Sequence, residues 1–195
     1  MRTLFVTPLY DARLEDADFL DELAHSIRTL AQDDGAGIRW SRDHGYKGYT
    51  SYASLDDLPR RDPAFDDLKR ILNKNAATFA KSLAWDDKPK LDSLWVNLLK
   101  GGGHHSGHIH PHSILSGTLY VEVPTGSGAI RFEDPRLPMM MAAPMRRDDA
   151  TEEYRSFVDI TPEPGLLLLW ESWLRHEVRP GTGKGERLSI SFNFA

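Results

Sequence analysis

Five of the eight histidines in the chain fall within nine residues: His104, His105, His108, His110 and His112. Neutral imidazole is a ligand for Fe, Zn, Cu and Ni, so the cluster points first to metal chemistry. In an extended strand, side chains alternate between faces. His108 and His110 are therefore expected on one side, where two imidazoles can take neighbouring positions on one ion. A third ligand must come from elsewhere. His176, within Trp173-Leu174-Arg175-His176-Glu177-Val178, is the leading candidate. Taken alone, the cluster also fits an exposed polar loop or an adventitious metal trap.

These residues need a scaffold, and the hydrophobic pattern supplies one in two styles. Leu20, Leu23, Ile27, Leu30 and Ala31 recur at steps of three and four, which predicts a helix from about Asp16 to Gln32. A second helix starts at Asp62-Pro63, an N-cap followed by a proline suited to the first turn. It keeps Phe65, Leu68, Leu72, Ala76, Phe79 and Leu83 on one face until Trp85. From Leu91 onward the pattern changes to short strands separated by Gly and Pro: Leu94–Leu99, Leu115–Val123, Ala129–Glu133, Tyr154–Ile160, Leu166–Trp170, His176–Arg179 and Leu188–Phe194. That rhythm predicts an all-β sandwich or barrel. The expectation is one domain over 1–195, with helical support in 1–90 and a β core in 91–195. In the last strand Arg187, Ser189, Ser191 and Asn193 alternate with Leu188, Ile190, Phe192 and Phe194. Its polar face belongs either in water or inside a barrel, and the sequence leaves both open. The stretch Pro135 to Glu153, with Met139, Met140, Met141 and Met145, breaks the rhythm and reads as a lid or a surface excursion.

Composition narrows the chemistry. With no cysteine, disulfides, thiolate nucleophiles, Cys-ligated zinc and iron–sulfur clusters are excluded. A formal net charge of −5 provides no basic field, so a nucleic-acid substrate is not expected. The longest apolar run, Leu166 to Trp170, is too short to cross a bilayer, and Met1 to Pro8 lack the apolar core of a signal peptide. The expectation is a soluble cytoplasmic protein acting on a small molecule or peptide, with no membrane partner and a homodimer left open.

Two further residues extend the histidine pattern. Asn97 lies eleven residues before His108, and Arg187 lies eleven residues after His176 and opens Arg187-Leu188-Ser189. Here the chain resembles the 2-oxoglutarate/Fe(II) oxygenase superfamily, which carries a His-x-Asp/Glu pair, a distal His and a following Arg-x-Ser. More narrowly, Trp95-Val96-Asn97, His108-Ile109-His110-Pro111-His112-Ser113, Leu115-Ser116-Gly117-Thr118-Leu119-Tyr120 and Ser189-Ile190-Ser191-Phe192-Asn193-Phe194 are similar to a bacterial and phage family of 2-oxoglutarate oxygenases. Gly48-Tyr49-Thr50-Ser51-Tyr52 shares that likeness. The resemblance implies a double-stranded β-helix (jelly-roll, cupin-like) core. It implies Fe(II) on His108, His110 and His176, with O2 and 2-oxoglutarate as co-substrates.

By the same resemblance, Arg187 and Ser189 would grip the far carboxylate of 2-oxoglutarate; by their chemistry, Asn97 could donate to the near one and Tyr120 to the far one, or both are plain buried polar groups satisfied by neighbours. No catalytic side chain is implied beyond the metal centre. One departure stands out: His110 replaces the usual carboxylate, which raises the charge of the site by one unit. Glu122 and Asp134 are candidate substitutes. A three-His cupin-like dioxygenase that does not use 2-oxoglutarate, and a non-catalytic metal-binding barrel, are the competing readings. His104, His105 and His112 are expected not to be ligands, Ser116 and Gly117 to serve packing, and His25 and His44 to lie on the surface. Trp95, Trp170 and Trp173 are expected in the core.

Overall fold

A computed structural model describes all residues, 1–195. Its centre is a six-stranded antiparallel sheet in the order β1-β8-β5-β10-β3-β2. The strands are β1 (Tyr10–Arg13), β8 (Leu166–Glu171), β5 (Leu115–Glu122), β10 (Glu186–Phe194), β3 (Leu91–Lys100) and β2 (Gly48–Thr50). A four-stranded antiparallel sheet faces it in the order β4-β9-β6-β7, made of β4 (His105–His108), β9 (His176–Val178), β6 (Ile130–Glu133) and β7 (Phe157–Ile160). Two facing antiparallel sheets are the jelly-roll architecture that the strand rhythm and the resemblance imply.

Both faces of the larger sheet are buried, for different reasons. Its outer face meets α1 (Ala17–Asp33) and α4 (Pro63–Ser82) in one apolar core. Each helix starts where its cap predicts: Asp16 accepts from Phe19 N at 3.0 Å, and Asp62 accepts from Ala64 N at 2.9 Å with Pro63 in the first turn. Leu23, Ile27, Phe65, Leu68, Leu72 and Phe79 from the helices pack with Val96, Leu119, Ile190, Phe192 and Phe194 from the sheet. The inner face splits in two. Leu166, Leu168 and Trp170 form a small dry core with Ile130 and Phe132 of the opposing sheet. The rest of the inner face is mainly polar, with Trp95 and Leu99 of β3 among its buried side chains.

The polar face of the last strand is therefore resolved toward the inside. Arg187, Ser189 and Asn193 are all buried, while Leu188, Ile190, Phe192 and Phe194 face the helices. β10 can carry a polar buried face because it lies mid-sheet, with its backbone paired to β3 on one edge and, from Leu188 onward, to β5 on the other.

Several sequence expectations need correction. The first 90 residues are not helical alone: β1 and β2 extend the larger sheet on its two edges, and α2 (Gly35–Asp43) and α3 (Leu58–Arg61) intervene. β1 and β2 are four and three residues long, too short for a period-two signal. Tyr154 lies in a 3₁₀ turn, Glu152–Tyr154, and the strand begins at Phe157. Trp173 is 47% exposed, not core, because it occupies the tight turn between β8 and β9. The methionine-rich connection between β6 and β7 stands in solvent, with Met141 and Met145 both 98% exposed.

Candidate functional site

The three histidines singled out by spacing converge. The ligand atoms of His108, His110 and His176 all lie within 4.8 Å of one another. β4 and β9 are neighbouring strands and His108 is the register partner of His176, which brings residues 68 apart in the chain into contact. The expected mechanism for His110 is different. β4 ends at His108, so His110 lies beyond the strand, not two positions along it. Its backbone N–H donates to Ser172 O at 3.0 Å, which holds the departing chain against the β8–β9 turn. His112 follows in a left-handed turn (φ 70°), exposed to solvent.

The tautomers follow from the hydrogen bonds. His108 Nδ1 lies 2.7 Å from Ser106 O, and His176 Nδ1 lies 2.9 Å from Leu174 O. A carbonyl only accepts, so each Nδ1 carries the proton and each Nε2 presents its lone pair. His110 Nε2 and His176 Nε2 are 3.3 Å apart. Two nitrogens each about 2.1 Å from a shared ion at a right angle would be about 3 Å apart, so the spacing suits adjacent ligand positions. Burial, and then the charge of neighbouring imidazoles, pushes the pKa of His176 down to about 3 and that of His110 to about 4. Both are neutral near pH 7, the form a metal requires. The donor set fits a first-row transition metal.

No carboxylate joins the cluster. Glu122 pairs with Arg28 through two hydrogen bonds, at 2.7 and 2.5 Å, and Asp134 pairs with Arg136 at 2.9 Å. Both substitute candidates are thus engaged elsewhere. Among the buried residues there is no Asp or Glu at all.

Arg187 is the one charged side chain other than histidine that is buried, at 4% exposure. It has no acidic partner. Its Nη1 donates to Gly128 O at 3.2 Å, its guanidinium lies 5.5 Å from the Tyr120 ring centre, and its Nε has no hydrogen-bond partner. A buried cation left without a counter-charge costs several kcal/mol, so this geometry fits an anionic ligand. Trp170 presents a second orphaned donor, its indole N–H, with its ring 4.7 Å from that of His176.

Asn97, Ser189 and Tyr120 all lie on the same inner face, with Ser189 paired in register to both Asn97 and Tyr120. The Asn97 amide is oriented by its partners. Its oxygen accepts from Thr50 Oγ1 at 2.9 Å and from the Tyr46 hydroxyl at 3.3 Å, and its nitrogen donates to Ser191 Oγ at 3.1 Å. Asn97 can therefore offer further contacts only as a donor. No motif or periodicity points to Tyr46. Its hydroxyl also meets His105 Nε2 at 3.1 Å, and both bonds coexist only if His105 carries its proton on Nε2. Burial, helped by the charge of Arg187, holds the pKa of His105 down to about 4. Tyr46 lies in a loop with no periodicity, so only the fold could place it here. Ser116 hydrogen-bonds Ser172 and Asn193, and Gly117 gives the Phe192 ring room. His25 and His44 are exposed as expected.

The fold is shared with solved structures. A Pseudomonas putida prolyl-4-hydroxylase is 18% identical, with a TM-score of 0.64 over 96% of this chain and 92% of that one. The 2-oxoglutarate-dependent epimerase SnoN from nogalamycin biosynthesis is 16% identical, with a TM-score of 0.66 over 96% and 78%. HygX from Streptomyces hygroscopicus, solved with nickel and 2-oxoglutarate, is 13% identical, with a TM-score of 0.60 over 97% and 82%. No curated protein matches the sequence. The sequence model of a family described as "Putative 2OG-Fe(II) oxygenase" matches residues 93–193, more than half the chain, including the three histidines, Asn97, Tyr120, Arg187 and Ser189. The chain belongs to this family and is a 2-oxoglutarate- and Fe(II)-dependent oxygenase.

Proposed function

We propose that His108, His110 and His176 hold the Fe(II), and that Arg187 with Ser189 binds the far carboxylate of 2-oxoglutarate. Asn97 donates to the near carboxylate, and Tyr120 contributes its hydroxyl to the far one. The reaction is hydroxylation of a small molecule or peptide in the cytoplasm. Fe(II) bound there supplies O2 activation, coupled to decarboxylation of 2-oxoglutarate to succinate. The chain's own residues do the rest. Two backbone carbonyls fix the tautomers of His108 and His176, two hydroxyls fix the Asn97 amide, and the dry core beside Trp170 keeps water from one flank.

The observation that carries this reading is Arg187: a buried guanidinium with no acidic partner, in a fold that also brings three imidazoles together. A planar fork suits a carboxylate through two parallel charge-assisted bonds. A three-His dioxygenase that used no 2-oxoglutarate would leave that cation uncompensated. The test is succinate release from 2-oxoglutarate by Fe(II)-loaded protein, without added substrate. Release above the metal-free control is expected. Absence of both release and 2-oxoglutarate binding would overturn the assignment of Arg187.

A further inference from the structure

The barrel end next to Arg187 is closed by backbone, not by side chains. Three connections meet there: β3–β4 through Gly101 to Gly103, β5–β6 through Gly126 and Gly128, and β9–β10 through Gly181 and Gly183. They approach more closely than any side chain permits. An added Cβ would lie 1.7 Å from Arg179 O at Gly128, 2.1 Å from Gly183 O at Gly101, and 2.3 Å from Thr125 O at Gly183. Hydrogen bonds lock the approach. Thr182 N and Gly183 N both donate to Gly126 O, at 2.8 and 3.0 Å, and Arg179 N donates to Ala129 O at 2.9 Å. The space left among them is about 20 Å³, room for roughly one water.

Arg187 and Leu99 are the inner wall of this plug. They are register partners across β10 and β3, and both are buried. Arg187 is tied to the plug through Gly128 O, and the Leu99 side chain lies against Gly103. A plug of side chains could yield by changing rotamers. One of abutting backbone cannot, so the guanidinium has nowhere to retreat.

We propose that this glycine plug, together with Leu99, sets the length of the co-substrate. It fixes the depth of the Arg187 guanidinium and thereby selects 2-oxoglutarate over 2-oxo diacids one methylene longer or shorter. The inference rests on Arg187 binding the far carboxylate, and it adds Leu99 and the glycine connections as determinants of specificity. Leu99 is the tunable element, because shortening it opens space beside the guanidinium without creating a clash.

The experiment measures binding of 2-oxoglutarate, 2-oxoadipate and oxaloacetate to anaerobic Fe(II)-loaded protein, followed by the metal-to-ligand absorption band. Wild type should prefer 2-oxoglutarate by roughly tenfold or more, the range one misfitted methylene commands. Leu99→Ala should narrow the preference over 2-oxoadipate to a few-fold by gaining affinity for the longer acid, with metal content unchanged. Leu99→Val, a milder change, should move in the same direction and guards against loss of fold in Leu99→Ala, which circular dichroism checks. Equal affinity of wild type for 2-oxoglutarate and 2-oxoadipate, or an unchanged ratio in the folded variants, overturns the plug proposal alone. No binding of any of the three acids to metal-loaded wild type overturns the Arg187 assignment and the plug with it.

Discussion

His110 Nε2 and His176 Nε2 lie 3.3 Å apart, although 66 residues separate them in the chain. At that distance either one ring donates its N–H to the other's lone pair, or both lone pairs turn to one shared cation. The β8–β9 turn makes the approach, through Ser172 holding the backbone of His110 and Leu174 holding the ring of His176.

Removing any one of the three imidazoles should therefore strip the metal. His108→Ala, His110→Ala and His176→Ala are each expected to lower iron content after desalting to near background, read by metal analysis. His112→Ala should keep its iron, since His112 is exposed on a left-handed turn. Metal loss in His112→Ala with retention in His108→Ala would show that the ligand register is wrong.

His110→Asp restores the carboxylate usual for non-haem iron. The variant is expected to fold and to retain Fe(II), because the position is set by backbone contact with Ser172, which the substitution does not touch. A folded variant devoid of iron would show that the site is tuned to three imidazoles.

Arg187→Ala should cost about 2–5 kcal/mol in 2-oxoglutarate affinity, more than tenfold in Kd, with iron still bound. Arg187→Lys should recover only part, because an ammonium lacks the bidentate fork. Anaerobic titration of 2-oxoglutarate measures both. An unchanged Kd in Arg187→Ala would remove the co-substrate role from this residue.

Gly117→Ala tests packing apart from chemistry. An added Cβ would sit 2.4 Å from the Phe192 ring and 2.5 Å from Leu168 O, in the middle of the larger sheet. Overpacking there should destabilise the fold by about 1–3 kcal/mol, seen as a lowered midpoint in urea with an unchanged slope. Stability equal to wild type would mean that the sheet accommodates the methyl by moving.

The sequence by itself determined the two capped helices, seven of the ten strands and the three histidines, because each is encoded locally. Asp16 and Asp62 announce helix starts, period-two runs such as Leu188–Phe194 announce strands, and His108, His110 and His176 stand out by type. The resemblance carried Arg187 further than spacing alone could. What only the tertiary structure decided depends on neighbours distant in the chain. Whether the Arg187–Asn193 face looked into water or into the barrel was undecidable from alternation, since period two fixes that the faces differ and not which is covered. That choice was made by the four-stranded sheet that faces the larger one, whose strand β4 the hydrophobic pattern did not mark. Tyr46 and Thr50 reached Asn97 for the same reason: β2, three residues long, exists only because β3 offers it an edge. His110 shows the limit most clearly. Its place in the cluster was legible, but the strand alternation invoked to put it there was not the cause. A backbone hydrogen bond to Ser172, 62 residues away, was.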